Sequence, residues 1–219
     1  MSRPRLLWDS SVGKKAIMAV TGLIWVVYLI THMLANLLVF EGPTKINGYS
    51  AFLHGTGGAL WAARLVLFVA LVLHIVAAVQ LAERRHEARP TRYAAGRDPQ
   101  VSTLASRTIR WGGALILVFL VYHILHFTIG TAHPHFVEGD PYQNVASGFH
   151  NPVVVLFYLI AMVAVGLHLY HGMWSSGRSL GVSSPSPRPL RRSVALVLAL
   201  LVWLGFSVIP IAVYAGVIR

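Results

Sequence analysis

The chain has 219 residues, 56% of them hydrophobic and 11% charged, with a mean hydropathy of +0.64. A water-soluble domain does not carry that balance, so the composition implies an integral membrane protein, a single membrane domain over residues 1–219. The formal charge of +11 would point to nucleic acid in a soluble protein, but here the placement of basic residues reports orientation, and no nucleic-acid partner is expected. With no cysteine, disulfides, thiolate-held iron–sulfur clusters within this chain and CxxCH haem attachment are excluded.

Five apolar runs follow one another, which predicts an all-α, up-down bundle of five transmembrane helices. The first, residues 16–40, opens behind Lys14 and Lys15 and carries His32 deep inside it. It is too long for a signal peptide and lacks a small-residue cleavage pattern, so it reads as a retained span. A turn-rich loop, EGPTKINGYSAFLHGTGG, leads to residues 59–81, with Arg64 near the start of that run. A long basic loop precedes the third run, residues 111–129, and AHPHFVEGDPYQNVASGFH separates it from the fourth, residues 152–174. After another basic loop the fifth run, residues 194–217, contains Pro210, an expected kink, and no histidine.

With a cytoplasmic N-terminus the inside segments hold Arg3, Arg5, Lys14 and Lys15, then Arg84, Arg85, Arg89, Arg92, Arg97, Arg107 and Arg110, then Arg178, Arg188, Arg191 and Arg192. Only Lys45, Arg64 and Arg219 of the 18 basic residues lie elsewhere. This asymmetry satisfies the positive-inside rule for an N-in, C-out protein. Basic loops that orient the chain also offer a docking face to an acidic cytoplasmic partner.

Six of the 11 histidines fall in the spans: His32, His74, His123, His126, His168 and His171. An ionisable ring in hydrocarbon is costly unless it faces the bundle interior and has a partner there. Four successive spans with a histidine each point to paired ligation of a buried cofactor. Counting along the runs puts His32 and His123 in the outer half and His74 and His168 in the inner half. Parallel spans lie diagonally in such a bundle, so each pair faces across the axis. That geometry suits two stacked bis-histidine b haems. His126 and His171 each follow a paired histidine by three residues, about 4.5 Å along the helix. The spacing leaves two roles open for each: the ligand itself, or a neighbour that meets a haem propionate or a quinone. A proton or ion pathway usually recruits carboxylates, and no span contains one.

The stretches SSVGKKAIMAVTGLIWVVYLITHMLANLL, NGYSAFL, RTIRWGGALILVFLVYHILHFTIG and GLHLYHGMW resemble the diheme cytochrome b membrane anchor of succinate:quinone oxidoreductases, the succinate dehydrogenase type with one five-helix anchor subunit. The resemblance covers nearly the whole chain. It implies that His32 and His123 ligate the outer haem b and His74 and His168 the inner one. It also implies that flavoprotein and iron–sulfur subunits dock on the cytoplasmic face of a bacterial cell membrane and pass electrons from succinate, through the haems, to menaquinone or ubiquinone. No catalytic side chain and no succinate site are expected here, because imidazoles on both axial positions leave the iron no open site. Some fumarate-reducing relatives have an acidic residue shortly before the fourth-span ligand; here the neighbourhood is AMVAVGL, which leans towards succinate oxidation. A homotrimer of the three-subunit complex is compatible with the chain, though no residue argues for it.

Arg64 reads equally as a partner for an outer propionate and as a side chain snorkelling to the headgroups. A quinone needs an apolar slot with hydrogen-bond donors. Asn36, Tyr49, His54, Trp61 and His126 are the outer candidates, and His171, Trp174 and Ser175 the inner ones, although Trp61, Trp111 and Trp174 also fit an interfacial aromatic belt. The outer-loop histidines His133, His135 and His150 read as solvated and receive no role. Two rivals remain: a stand-alone diheme cytochrome b without a dehydrogenase, and a haem-free anchor or transporter subunit.

Overall fold

A computed structural model describes residues 7–88, 103–181 and 188–219. Arg3, Arg5, Arg89, Arg92 and Arg97, all assigned above to the basic side, lie outside the described residues. The described chain is helical, with no strand. Its helices are α1 (Ser11–Leu37), α2 (Pro43–Gly55), α3 (Gly58–Glu87), α4 (Leu104–His123), α5 (Pro141–Gly148), α6 (Pro152–Ser179) and α7 (Arg188–Tyr214). Five of these, α1, α3, α4, α6 and α7, are long and apolar enough to cross a membrane.

The ends of the helices follow local chemistry. Ser10 Oγ accepts from the Gly13 amide at 2.9 Å, Thr103 Oγ1 from Ser106 at 3.2 Å and Asn151 Oδ1 from Val153 at 2.9 Å, so each caps one of the amide groups that a helix start leaves without a carbonyl. Pro152 occupies the first turn of α6, where its missing N–H costs nothing. The helices outrun the predicted spans: α4 begins seven residues before position 111, because the amphiphilic turn holding Arg107 and Arg110 continues the helix beyond the apolar run. Pro210 lies inside α7, close to its end, where it leaves the Phe206 carbonyl without its usual amide donor.

Two segments expected to be loops contain helices. Gly42, at φ 92°, turns the chain out of α1, and Pro43 then starts α2, which buries Ile46. Asp140 caps α5 by accepting from Gln143 at 3.0 Å. The same carboxylate accepts from Asn47 Nδ2 at 2.8 Å, and Asn47 Oδ1 accepts from the Tyr142 amide at 3.0 Å, so α2 and α5 are joined across 93 residues of sequence. Short and low in apolar content, these helices carry little hydropathic signal.

The end of the bundle at which α1 begins is here termed the near end; α2 and α5 cap the far end. Helix α6 packs against α7, α4 and α1, and α1 packs in turn against α3 and α7. At the near end α1 and α3 are held together by Lys14 Nζ donating to Gln80 Oε1 and by Arg84, which donates to Ser11 Oγ at 3.4 Å and to the carbonyl of Asp9, just ahead of α1, at 3.1 Å. Glycine sets the closeness of α7 to α1: a Cβ on Gly205 would lie 2.3 Å from Met33 Sδ. The core gathers around α6, with Tyr158, Ala161, Met162, Val165 and Leu169 buried against Phe119, Met33 and Val202. Outward-facing positions such as Val69, Leu73, Val118, Val163 and Leu201 are exposed and apolar, as a lipid-facing surface requires.

Candidate haem-binding histidine pairs

Two pairs of imidazoles face each other at two levels. In the near half, His74 of α3 and His168 of α6 have ring centroids 6.2 Å apart. In the far half, His32 of α1 and His123 of α4 are 5.9 Å apart, with planes at 84°. Two metal–nitrogen bonds of about 2 Å each, plus the distance from each nitrogen to its ring centre, span about 6 Å, so each separation matches that of two imidazoles sharing one metal ion.

The near pair sits in sparse surroundings. His74 Nδ1 is 3.0 Å from the Met18 carbonyl and 3.2 Å from Thr21 Oγ1. A carbonyl only accepts, so Nδ1 carries the proton and Nε2 keeps its lone pair for a metal. The ring comes this close to α1 because Gly22 is there: a Cβ on it would stand 3.3 Å from His74 Cε1. Gly113 plays a looser version of that part for His168, at 3.8 Å. His168 Nδ1 is buried and has no hydrogen-bond partner among the described residues. Facing donors of the right type, one tautomer fixed by the backbone, and glycines that seat the rings fit an axial bis-imidazole site.

The far pair is embedded in aromatic rings. Tyr28 stacks on His32 at 5.2 Å and 13°, Phe206 of α7 lies 5.8 Å from it, and Phe119 lies 5.6 Å from His123. Asn36 Nδ2 donates to the His32 carbonyl at 2.7 Å and lies 3.3 Å from its Nδ1. Tyr158 Oη sits 3.4 Å from His123 Nδ1 and 3.0 Å from His126 Nδ1.

His126 does not face His32. Helix α4 changes immediately after His123 into a π-helical turn, Ile124–Thr128, closed by the Ile129 amide on the Ile124 carbonyl at 2.9 Å. In this wider turn the His126 ring is 1% exposed and lies between Tyr122, at 5.3 Å, and His133, at 4.9 Å. Gly148 of α5 closes the cluster, since a Cβ there would meet His133 Nε2 at 2.9 Å and His126 Cε1 at 3.1 Å. His133, expected in a solvated loop, is instead buried: its Nε2 is 3.0 Å from the Asn144 carbonyl, and its Nδ1 accepts from the His135 amide at 3.0 Å. Its position depends on α5, a helix within a segment whose sequence reads as loop.

The remaining candidates scatter. Tyr49 and His54 are exposed on α2, with His54 Nδ1 bonded to the Ser50 carbonyl at 2.8 Å. Trp61 is 67% exposed, and the exposed Arg64 guanidinium lies 4.9 Å over its ring. Ser175 Oγ donates to the Gly172 carbonyl at 3.2 Å. His171 and Trp174 do meet, at 5.7 Å, and both His171 Nδ1 and Trp174 Nε1 are buried without a hydrogen-bond partner among the described residues. Arg192 lies 5.1 Å over the Trp174 ring. The sequence reading missed Tyr158, Thr21 and the Met18 carbonyl, none of which belongs to a spaced motif.

Residues 84–208 match the family described as succinate dehydrogenase/fumarate reductase transmembrane subunit. The chain is also similar to the succinate dehydrogenase cytochrome b558 subunit of Bacillus subtilis (strain 168), with 22% identity over 180 residues that span 82% of this chain and 84% of the relative. No solved structure matches. The family match takes in more than half of the chain, including His123, His126, His168 and His171, and the longer alignment extends it. A five-span helical bundle with histidines facing across its axis accords with that match, and the chain belongs to the succinate dehydrogenase/fumarate reductase transmembrane subunit family.

Proposed function

We propose that this chain is the diheme anchor of a succinate:quinone oxidoreductase, holding one haem b between His74 and His168 and a second between His32 and His123. The observation that carries the proposal is the pair of facing imidazoles at each of two levels, 6.2 Å and 5.9 Å apart. When bound, haem b supplies one-electron redox chemistry. The protein orients the rings: Met18 and Thr21 hold His74, Gly22 and Gly113 make room for the near pair, and Tyr28 and Phe206 wall in His32. With one imidazole of each pair on either side, a bound iron would have no position open to water or dioxygen and would be limited to electron relay. His123 is the far ligand on α4, since His126 is committed to Tyr158 and the stacked rings around it.

The near end is the cytoplasmic side in this reading, because Lys14, Lys15, Arg84, Arg85, Arg107, Arg110, Arg178, Arg191 and Arg192 gather there. That basic face receives an iron–sulfur subunit and, behind it, a flavoprotein that oxidises succinate. Haems held by the two pairs would supply an electron relay from that subunit to a membrane quinone. Among the quinone candidates, His171 and Trp174 have the strongest support, since a buried donor without a partner calls for an acceptor such as a quinone carbonyl.

The test is the cofactor content of the detergent-purified native assembly. Two haems per chain by pyridine haemochrome, together with covalent flavin fluorescence on a copurifying subunit, is the expected result. Two haems without flavin would favour a stand-alone cytochrome, and an active preparation without haem would overturn the ligand assignment.

A further inference from the structure

Adjacent lysines at the start of α1 have opposite environments. Lys15 is exposed, whereas Lys14 is 5% exposed. An orientation charge belongs in water, as Lys15 is, so burial of Lys14 needs another cause. Its Nζ donates to Gln80 Oε1 and lies 5.6 Å over the Trp8 ring. Neither is an anion, and a buried ammonium with only neutral partners among the described residues leaves its charge uncompensated.

Position gives that charge a destination. Lys14 precedes His32 by 18 residues, five whole turns, so both lie on the same face of α1, the one His32 turns to His123 across the bundle. Lys14 is also one turn, about 6 Å, on the near side of Met18, whose carbonyl holds His74. Gln80 lies on α3 beyond His74, about 9 Å further towards the near end. The ammonium is thus held at the near edge of the His74–His168 level, in a seam closed by the Arg84 bond to the Asp9 carbonyl.

Resting on the diheme reading above, we infer that Lys14 is the cation that binds a carboxylate of the near haem, one of its propionates, while its bond to Gln80 separately clasps α1 to α3. A second source of the same chemistry is a carboxylate of the docked iron–sulfur subunit, and the experiment separates the two.

A positive charge beside a haem favours its reduced state, so removing the charge must lower the potential of that haem and leave the distant one in place. The test is a redox titration, monitored optically, of the complete detergent-solubilised complex, with the far haem identified in His168→Ala. Lys14→Gln is expected to shift the one-electron equilibrium of the near haem about tenfold towards oxidation, which is 59 mV, and Lys14→Arg to restore it. Gln80→Leu breaks the clasp but keeps the cation, so its near haem should titrate within a factor of three of wild type. Equal shifts in Lys14→Gln and Gln80→Leu would reduce Lys14 to a staple between helices and overturn the inference. So would an unchanged near haem in Lys14→Gln, including the case where the iron–sulfur subunit dissociates, which assigns the cation to that partner. Wild-type haem content, measured before any substitution, tells failure of this inference from failure of the diheme reading: two haems keep the reading whatever Lys14 does.

Discussion

The near and far histidine pairs are alike in spacing and unlike in everything around them. The near rings are seated by glycines and one backbone carbonyl, with His168 Nδ1 lacking any hydrogen-bond partner among the described residues. The far rings stand among Tyr28, Phe119, Phe206 and Tyr158. Packing alone could account for histidines in the far cluster, where each ring fills space and meets other rings. It does not account for the near pair, where an unbonded buried nitrogen is a cost that packing leaves unpaid. The near pair therefore argues harder for a ligand, and the far pair for a ligand whose surroundings are fixed in advance.

The largest effects should come from the ligands themselves. His74→Ala or His168→Ala is expected to lower haem from two to one per chain, and to cut succinate:quinone turnover by at least about tenfold, the least that loss of even a supporting partner costs a metal site. His32→Ala or His123→Ala should remove the other haem. Difference spectra would tell the two losses apart, and a single variant that lost both haems would show that the levels are not independent.

A second test sharpens the contrast within α4. His126→Ala should keep both haems, because His126 faces Tyr158 and His133 rather than His32, yet it empties a site only 1% exposed. The expected cost is about 2–4 kcal/mol of stability, read as a lower thermal midpoint in detergent. Tyr158→Phe, which removes one hydroxyl between His123 and His126, should cost about 1 kcal/mol. Haem loss in His126→Ala with retention in His123→Ala would reverse the assignment of the far ligand.

That reversal is the point at which sequence stopped being informative. Hydropathy located the five spans, and residue counting placed His32, His74, His123 and His168 at two levels, since both depend only on helical rise. Choosing between His123 and His126 depends on the π-turn that starts at Ile124, and no periodicity in ILHFT announces it. The far-end cap was equally hidden: α2 and α5 are tied through Asn47 and Asp140, a pair of polar side chains far apart in the chain. Tyr158 and Thr21 went unremarked because a lone hydroxyl on an apolar helix gains its role only from the ring that another helix brings to it.

The smallest expected effects lie in the loop that precedes α6, where two histidines separate burial from mere position. His150 is exposed, and its Nδ1 bonds to the Ala146 carbonyl at 2.6 Å, an exchange for water that gains little. His133 is 6% exposed and uses both ring nitrogens, accepting from the His135 amide and meeting the Asn144 carbonyl, while its face stacks on His126. Since a carbonyl only accepts, Nε2 must carry the proton and Nδ1 the lone pair, so one neutral ring serves as donor and acceptor at once. His150→Ala should therefore change stability by less than about 0.5 kcal/mol. His133→Ala, which strands the buried Asn144 carbonyl and removes the acceptor of the His135 amide, should cost about 1–3 kcal/mol. Neither touches a facing pair, so both variants should retain two haems, and thermal midpoints of the two in one detergent decide the matter. Equal midpoints would mean that α5 does not hold His133 against His126, and that the aromatic shell of the far pair ends at Tyr158.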